Sequence, residues 1–282
     1  MKQILWGTDL HYNFLKHGKI RDFHGLVNEQ IKESHANALL NGEDLTTLAV
    51  VISGDISEAP ALKGHLEMIR GGLGLPVYFV CGNHDYWHKS FAETRAMLTE
   101  MTNETATKWL GAVSFIPLTD TTAIVGHDGW YDAVHGDWEN SRFMMNDWFY
   151  TEEFKGKTVK QVVDYCRSDL STPGADHVKK GMRDAIEKGF KNLLVVTHVP
   201  PFKDCSIYNG RPGEETSVCW YTSAIMGDAL YEVASENPDI EITVLCGHTH
   251  NGIVRQVLPN MVVYVGQAAY SHPRYEFVGI TE

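Results

Sequence analysis

Seven side chains able to bind a metal follow five separate apolar runs: Asp9 and His11, Asp55, Asn83, His198, then His248 and His250. Carboxylate, imidazole and amide oxygen suit Mn²⁺, Fe and Zn²⁺, and the lack of thiolate among them argues against a purely structural zinc. Asp55 is the natural bridge, because a carboxylate can be shared between two cations about 3.5–4 Å apart and partly cancel their repulsion. Only Asp9 and Asp55 carry negative charge. Two divalent ions would therefore keep a surplus of positive charge, which is what an incoming phosphate needs.

The runs themselves predict how these residues are held. Ile4 to Thr8 leads into Asp9, Leu48 to Gly54 into Asp55, and Val77 to Gly82 into Asn83-His84-Asp85; Leu193 to Thr197 leads into His198, and Ile242 to Gly247 into His248. Short β-branched runs bounded by polar residues read as strands buried on both faces. The ligands then lie at the carboxyl ends of strands, where open α/β sheets place their sites. Between the runs, residues 23–40, 62–69, 91–101, 175–190 and 224–234 carry apolar residues at helical spacing. Residues 253–257, 261–266 and 275–280 read as strands, the first two joined by a tight turn at Leu258-Pro259-Asn260. Parallel strands at the centre and antiparallel ones at the end imply a β-sandwich flanked by helices.

At 282 residues and 43% hydrophobic, the chain can bury a full core as one domain, residues 1–282, with an insertion. Its net charge of −12, with no Lys/Arg-rich run, makes long nucleic acid a poor partner. No apolar run approaches the ~18 residues of a membrane span, and the N-terminal run is too short for a signal-peptide core of roughly 7–15 residues. Five cysteines without a C-x-x-C pair fit a reducing compartment, so the expected location is cytoplasmic. Cys205 and Cys219 share a loop and are the one pair for which a disulfide or metal role is conceivable.

Residues 127–174 break the alternation. They are dense in aromatics, including Trp130, Tyr131, Trp138, Phe143 and Trp148, and read either as a subsidiary core or as a cap over the site. On the cap reading, Trp130, Tyr131 or Trp138 would stack on a planar substrate group. Residues 200–221, just after His198, are the second candidate wall.

Asp9-x-His11, Gly54-Asp55, Gly82-Asn83-His84-Asp85, His198 and Gly247-His248-x-His250, in that order, resemble the five motifs of the calcineurin-like metallophosphoesterase superfamily. The resemblance implies a four-layer α/β/β/α sandwich of mixed sheets and a dinuclear centre of divalent or mixed-valence ions, Mn²⁺ or Fe with Zn²⁺ as a further option. It implies that Asp9, His11, Asp55 and His250 hold one ion while Asp55, Asn83, His198 and His248 hold the other, and that an activated hydroxide attacks phosphorus in line. His84, outside that ligand set, is assigned to protonating the leaving oxygen, with Asp85 fixing its tautomer.

The second motif runs Gly54-Asp55-Ile56-Ser57-Glu58 and the third ends in Asp85. The phosphoprotein phosphatases of the superfamily instead carry an Arg after the second motif and a Glu ending the third. The spelling is closer to the bacterial phosphodiesterase-like branch, so the expected substrate is a small phosphodiester such as a nucleotide. A phosphomonoesterase is the rival reading. A nuclease is disfavoured by the acidic charge, and a non-catalytic scaffold by the seven filled ligand positions.

Overall fold

The computed structural model describes residues 1–281. Thirteen strands are found among the described residues: β1 (Lys2–Gly7), β2 (Thr46–Ser53), β3 (Val77–Val80), β4 (Thr107–Trp109), β5 (Ile116–Pro117), β6 (Thr122–Gly126), β7 (Asn192–Val196), β8 (Ile207–Tyr208), β9 (Arg211–Pro212), β10 (Glu241–Cys246), β11 (Ile253–Leu258), β12 (Met261–Val265) and β13 (Glu276–Ile280). One sheet has the order β13-β1-β2-β3-β4, a second β11-β12-β10-β7-β6-β5, and β8 and β9 form a separate hairpin. Each large sheet is parallel at its centre, β1 to β4 in one and β6, β7, β10 and β12 in the other, with antiparallel strands at its margins.

Alternate side chains of the central strands face opposite ways, and the core divides accordingly. Ile4, Trp6, Val51, Val80, Ile124, Leu194, Val196 and Leu245 make a cluster fed by both sheets, which is the seam between them. The opposite faces are covered by helices. Leu62, Leu66 and Ile69 of α2 (Ala59–Leu73) pack on Val50, Ile52 and Phe79, together with α1 (His17–Leu40) and α3 (Phe91–Glu104). Val178 and Met182 of α6 (Thr172–Glu187) and Leu230 and Val233 of α8 (Ala224–Glu236) pack on Val125, Leu193 and Val244 of the second sheet. Three apolar seams separate four layers, the α/β/β/α sandwich.

The strand expected at 275–280 forms as β13, which leaves the 253–265 hairpin for the other sheet and pairs antiparallel with β1, Ile4 opposite Val278. Both edges offer apolar partners, and only the sheets' relative placement selects one. The helix expected from 175 begins earlier, since α5 (Val159–Tyr165) runs through a wide π-turn at Cys166–Ser171 directly into α6. A Pro two residues into α6 and the wide turn obscure the 3.6 period in the sequence.

All five cysteines are free and buried, so the Cys205–Cys219 link does not exist here. No helix among the described residues is long and apolar enough to cross a membrane.

Candidate metal centre

The five ligand-bearing strands, β1, β2 and β3 in one sheet and β7 and β10 in the other, end at one edge of the sandwich, and their following loops are laced together. Asp9 N–H donates to Gly54 O at 3.0 Å, His11 N–H to Asp55 O at 2.9 Å, and Gly247 N–H to His198 O at 2.9 Å. Turning seven side chains toward one point strains the backbone. Asp9, His11, Asp55, His248 and His250 all hold positive φ, between 44° and 69°. Each such residue costs on the order of 1–3 kcal/mol and persists only where its surroundings over-determine it. The glycines of the motifs provide clearance: a Cβ on Gly82 would fall on the Asp55 carboxylate, and one on Gly247 on that of Asp9.

The converging atoms form two groups sharing Asp55. Donor atoms of Asp9, His11, Asp55 and His250 lie within 4.8 Å of one another, as do those of Asp55, His198 and His248. Asn83 joins the second group, its Oδ1 3.2 Å from His198 Nε2. The structure thus brings together all seven residues singled out in the sequence. His11 Nε2 and His250 Nε2 face each other at 3.2 Å, with Asp9 Oδ1 also 3.2 Å from His250 Nε2.

Buried lone pairs in this arrangement call for cations between them. Backbone carbonyls fix the histidine tautomers to match. His198 Nδ1 bonds Ser53 O at 2.8 Å and His248 Nε2 bonds Trp220 O at 3.0 Å, so each ring turns its other nitrogen to the centre as a lone pair. Asp9 is held by Thr8 Oγ1 at 2.6 Å and by His248 N–H.

Electrostatics make the same demand. Burial works to raise Asp55, but the charges of His84, His198 and His11 hold it well below the ordinary carboxylate range. Burial likewise opposes ionisation of Asp9, and the His250 hydrogen bond with the charge of His198 brings it down to about 2. Burial lowers His11 and His248 to about 4. His198 is raised to about 10 because Asp55, through its charge and a hydrogen bond, outweighs the burial that works to lower it. The protein alone collects a proton where positive charge is missing, and oxygen and nitrogen donors without thiolate fit two divalent ions in its place.

His84 lies at the rim, its Nε2 3.8 Å from Asp55 Oδ2. Asp85, expected to fix its tautomer, does not bond it. Its oxygens accept backbone N–H groups of Ile56 at 3.2 Å, Ser57 at 2.7 Å and Gly82 at 2.9 Å, so Asp85 clamps the second motif to the third. Burial and the charge of Asp55 push its carboxyl up to about 8 against those three donors. The ring of His84 is held instead by Trp87, stacked at 3.6 Å and 27°.

Two further buried carboxylates support the site, of which sequence reasoning missed Asp147. Asp128 accepts from Cys81 N–H at 2.7 Å and Trp109 Nε1 at 2.8 Å, fixing the end of β3. Asp147 accepts from Asn83 Nδ2 and Trp87 Nε1, each at 2.8 Å. Neither belongs to a motif, and only the folded path of the chain brings them in.

A cavity of about 1000 Å³ opens from this edge. One wall is Phe143 to Asp147, which ends on α4 (Asp147–Tyr150); the other is the β8–β9 hairpin with residues leading toward α7 (Glu215–Val218). Trp130 and Tyr131 do not line it. At 2% and 1% exposed they pack with Phe91, Phe154 and Trp220 in the core under α3, which overturns their assignment as stacking residues. Tyr221 and Tyr270 do reach the cavity.

A family model for the calcineurin-like phosphoesterases matches residues 3–252. The chain belongs to that family. It is therefore a metal-dependent phosphoesterase, and its motifs coincide with the two donor groups. The phosphoesterase resembles a phosphopantetheinyl hydrolase from Mycobacterium tuberculosis, with 15% identity, 98% of this chain and 95% of that one covered, and a TM-score of 0.62. A dimetal phosphatase from Danio rerio aligns over 98% of this chain and 91% of its own at 12% identity and a TM-score of 0.56. A 5′-nucleotidase from Candida albicans aligns over 94% of this chain but 45% of its own, with 15% identity and a TM-score of 0.50. At such identities the likeness is one of fold. No curated protein matches the sequence.

Proposed function

We propose that this phosphoesterase is a phosphodiesterase for a small molecule with a bulky, partly apolar substituent, working with two transition-metal ions. Asp9, His11, Asp55 and His250 would hold one ion and Asp55, Asn83, His198 and His248 the other, with Mn²⁺ or Fe favoured and Zn²⁺ allowed by the donor set. Bound there, the ions supply Lewis acidity: they stabilise charge on the phosphoryl oxygens and activate water as the nucleophile. The protein's own part is to orient. Asp55 sets the spacing of the two sites, the carbonyls of Ser53 and Trp220 keep His198 and His248 in the ligating tautomer, and His84 stands where a leaving oxygen needs a proton.

The observation that carries the choice of a diester is the cavity's charge. Arg211 is the only Lys or Arg among its lining residues, although the cavity has room for two ester substituents. A monoester dianion gains from further cations beside the ions, whereas a singly charged diester needs fewer. Phe143, Met144, Met145, Tyr208 and Tyr270 offer surface to an apolar or planar group, and Met side chains adapt to irregular shapes. Residues 143–147 thus act as a cap wall, while the remainder of the aromatic stretch supports it. A polynucleotide would need a row of cations that neither cavity nor composition provides. A cytoplasmic location is part of the same proposal, supported by five buried free thiols.

The test compares bis(p-nitrophenyl) phosphate with p-nitrophenyl phosphate after metal stripping and reloading with Mn²⁺. The diester should be the better substrate by at least about tenfold in kcat/KM, and chelation should abolish both activities. A preference for the monoester overturns the diesterase reading in favour of a phosphomonoesterase. A panel of natural diesters, including nucleotide and phosphopantetheinyl esters, then narrows the substituent.

A further inference from the structure

We infer that Asp147, supplied by the cavity wall, is a positioning residue that sets both the Asn83 amide and the His84 ring. The inference rests on the two-ion reading above and goes beyond it by assigning a residue outside every motif. Asp147 is fully buried, and its Oδ1 accepts from Asn83 Nδ2 and from Trp87 Nε1.

An asparagine amide presents an oxygen on one side and an NH₂ on the other, and only the oxygen can ligate. A carboxylate can only accept, so Asp147 selects the NH₂ side and turns Oδ1 toward His198. Without it, nothing else bonded to Nδ2 decides the flip. The same oxygen fixes the Trp87 indole, and that indole stacks on His84. His84 Nδ1 is buried without a hydrogen-bond partner, so stacking rather than a hydrogen bond from Asp85 keeps the ring in place. Because Asp147 directly continues the wall residues Phe143 to Asn146, the surface that meets substrate is joined through one side chain to a metal ligand and to the proposed acid.

The experiment titrates the full-length, metal-stripped protein with Mn²⁺ by calorimetry. The wild type should take two ions. Asp147→Ala should weaken the second by roughly 10- to 100-fold, as loss of outer-shell support does, and leave the first within about threefold. Asp147→Asn, whose amide oxygen can accept both hydrogens, should restore the second ion to within about threefold of wild type. In the metal-free protein, the ring-current shift of the His84 Cε1 proton should change in Asp147→Ala and persist in Asp147→Asn.

A folded Asp147→Ala that binds both ions like wild type overturns the inference. If Asp147→Ala does not fold, Asn83→Asp is compared with Asn83→Asp/Asp147→Asn. The single change sets two carboxylates face to face and should weaken the second ion, while the exchange restores one donor and one acceptor and should recover at least about tenfold. No recovery overturns it as well. A wild type that binds fewer than two ions sinks the two-ion reading itself, which is a separate result.

Discussion

The metal cradle and the cavity wall meet at Asn83 and Asp147, yet they are built on opposite principles. In the cradle, five donors hold left-handed backbone, every loop is bonded to its neighbour, and the side chains are buried or nearly so. In the wall, Phe143, Met144 and Tyr208 are 43%, 65% and 70% exposed on irregular chain or on a two-residue-strand hairpin turned by Asn209-Gly210. A rigid, strained cradle fixes the reaction, because metal geometry tolerates little error. An exposed wall with adaptable apolar side chains can change its choice of ester without disturbing that geometry. On the proposed function, chemistry and specificity are carried by separate parts, joined by few side chains.

The comparison breaks most visibly in the cradle. Asp55→Ala should loosen both ions and lower phosphoesterase activity by more than about 10³-fold, beyond the loss at any terminal ligand such as His250. Metal analysis with steady-state rates checks this, and an equal loss at His250→Ala would remove the special place of Asp55. His84→Ala should keep both ions but lose about 10²–10⁴-fold on esters with poor leaving groups and much less on p-nitrophenyl esters. Equal losses on both would leave His84 an electrostatic or packing role.

Within the aromatic stretch the split can be sharpened. Trp130→Ala should cost about 3–5 kcal/mol in chemical denaturation, since it empties a buried site. Phe143→Ala and Met144→Ala, at exposed positions, should stay within about 0.5 kcal/mol of wild type while altering the ranking among natural phosphate esters. A stable Trp130→Ala with altered substrate ranking would return that residue to the wall.

Stability against pH tests the buried side of the molecule by a smaller effect. Burial lowers His24 and His127 to about 4. Both folded values lie below the unfolded ~6.5, so below that pH the unfolded chain takes up protons that the folded one refuses. Their contribution is therefore complete above about pH 6.5 and is lost as pH falls toward 4. Denaturation midpoints of the metal-free His24→Gln/His127→Gln protein should fall less steeply over this window than those of wild type. Parallel slopes would show that neither imidazole is held neutral.

How much could be read from the chain follows from the same division. Asp9, His11, Asp55, Asn83, His198, His248 and His250 were legible because each ends a short apolar run, and residue type and run together state both the chemistry and the strand that carries it. The four layers followed from the alternation of those runs with helical periods. Three features were not legible, each for a reason of distance. Asp147 lies 64 residues from Asn83, and Asp85 bonds backbone 28 and 29 residues away, so no local spacing announces either contact. Trp130 and Phe143 are alike in sequence, and only burial separates core from wall. Periodicity reports which face of an element is apolar, so the sequence alone determined the donors and their strands. Which sheet edge takes β13, which carboxylate meets which amide and which aromatic meets solvent are set by the packing of elements remote in sequence, and these only the tertiary structure decided.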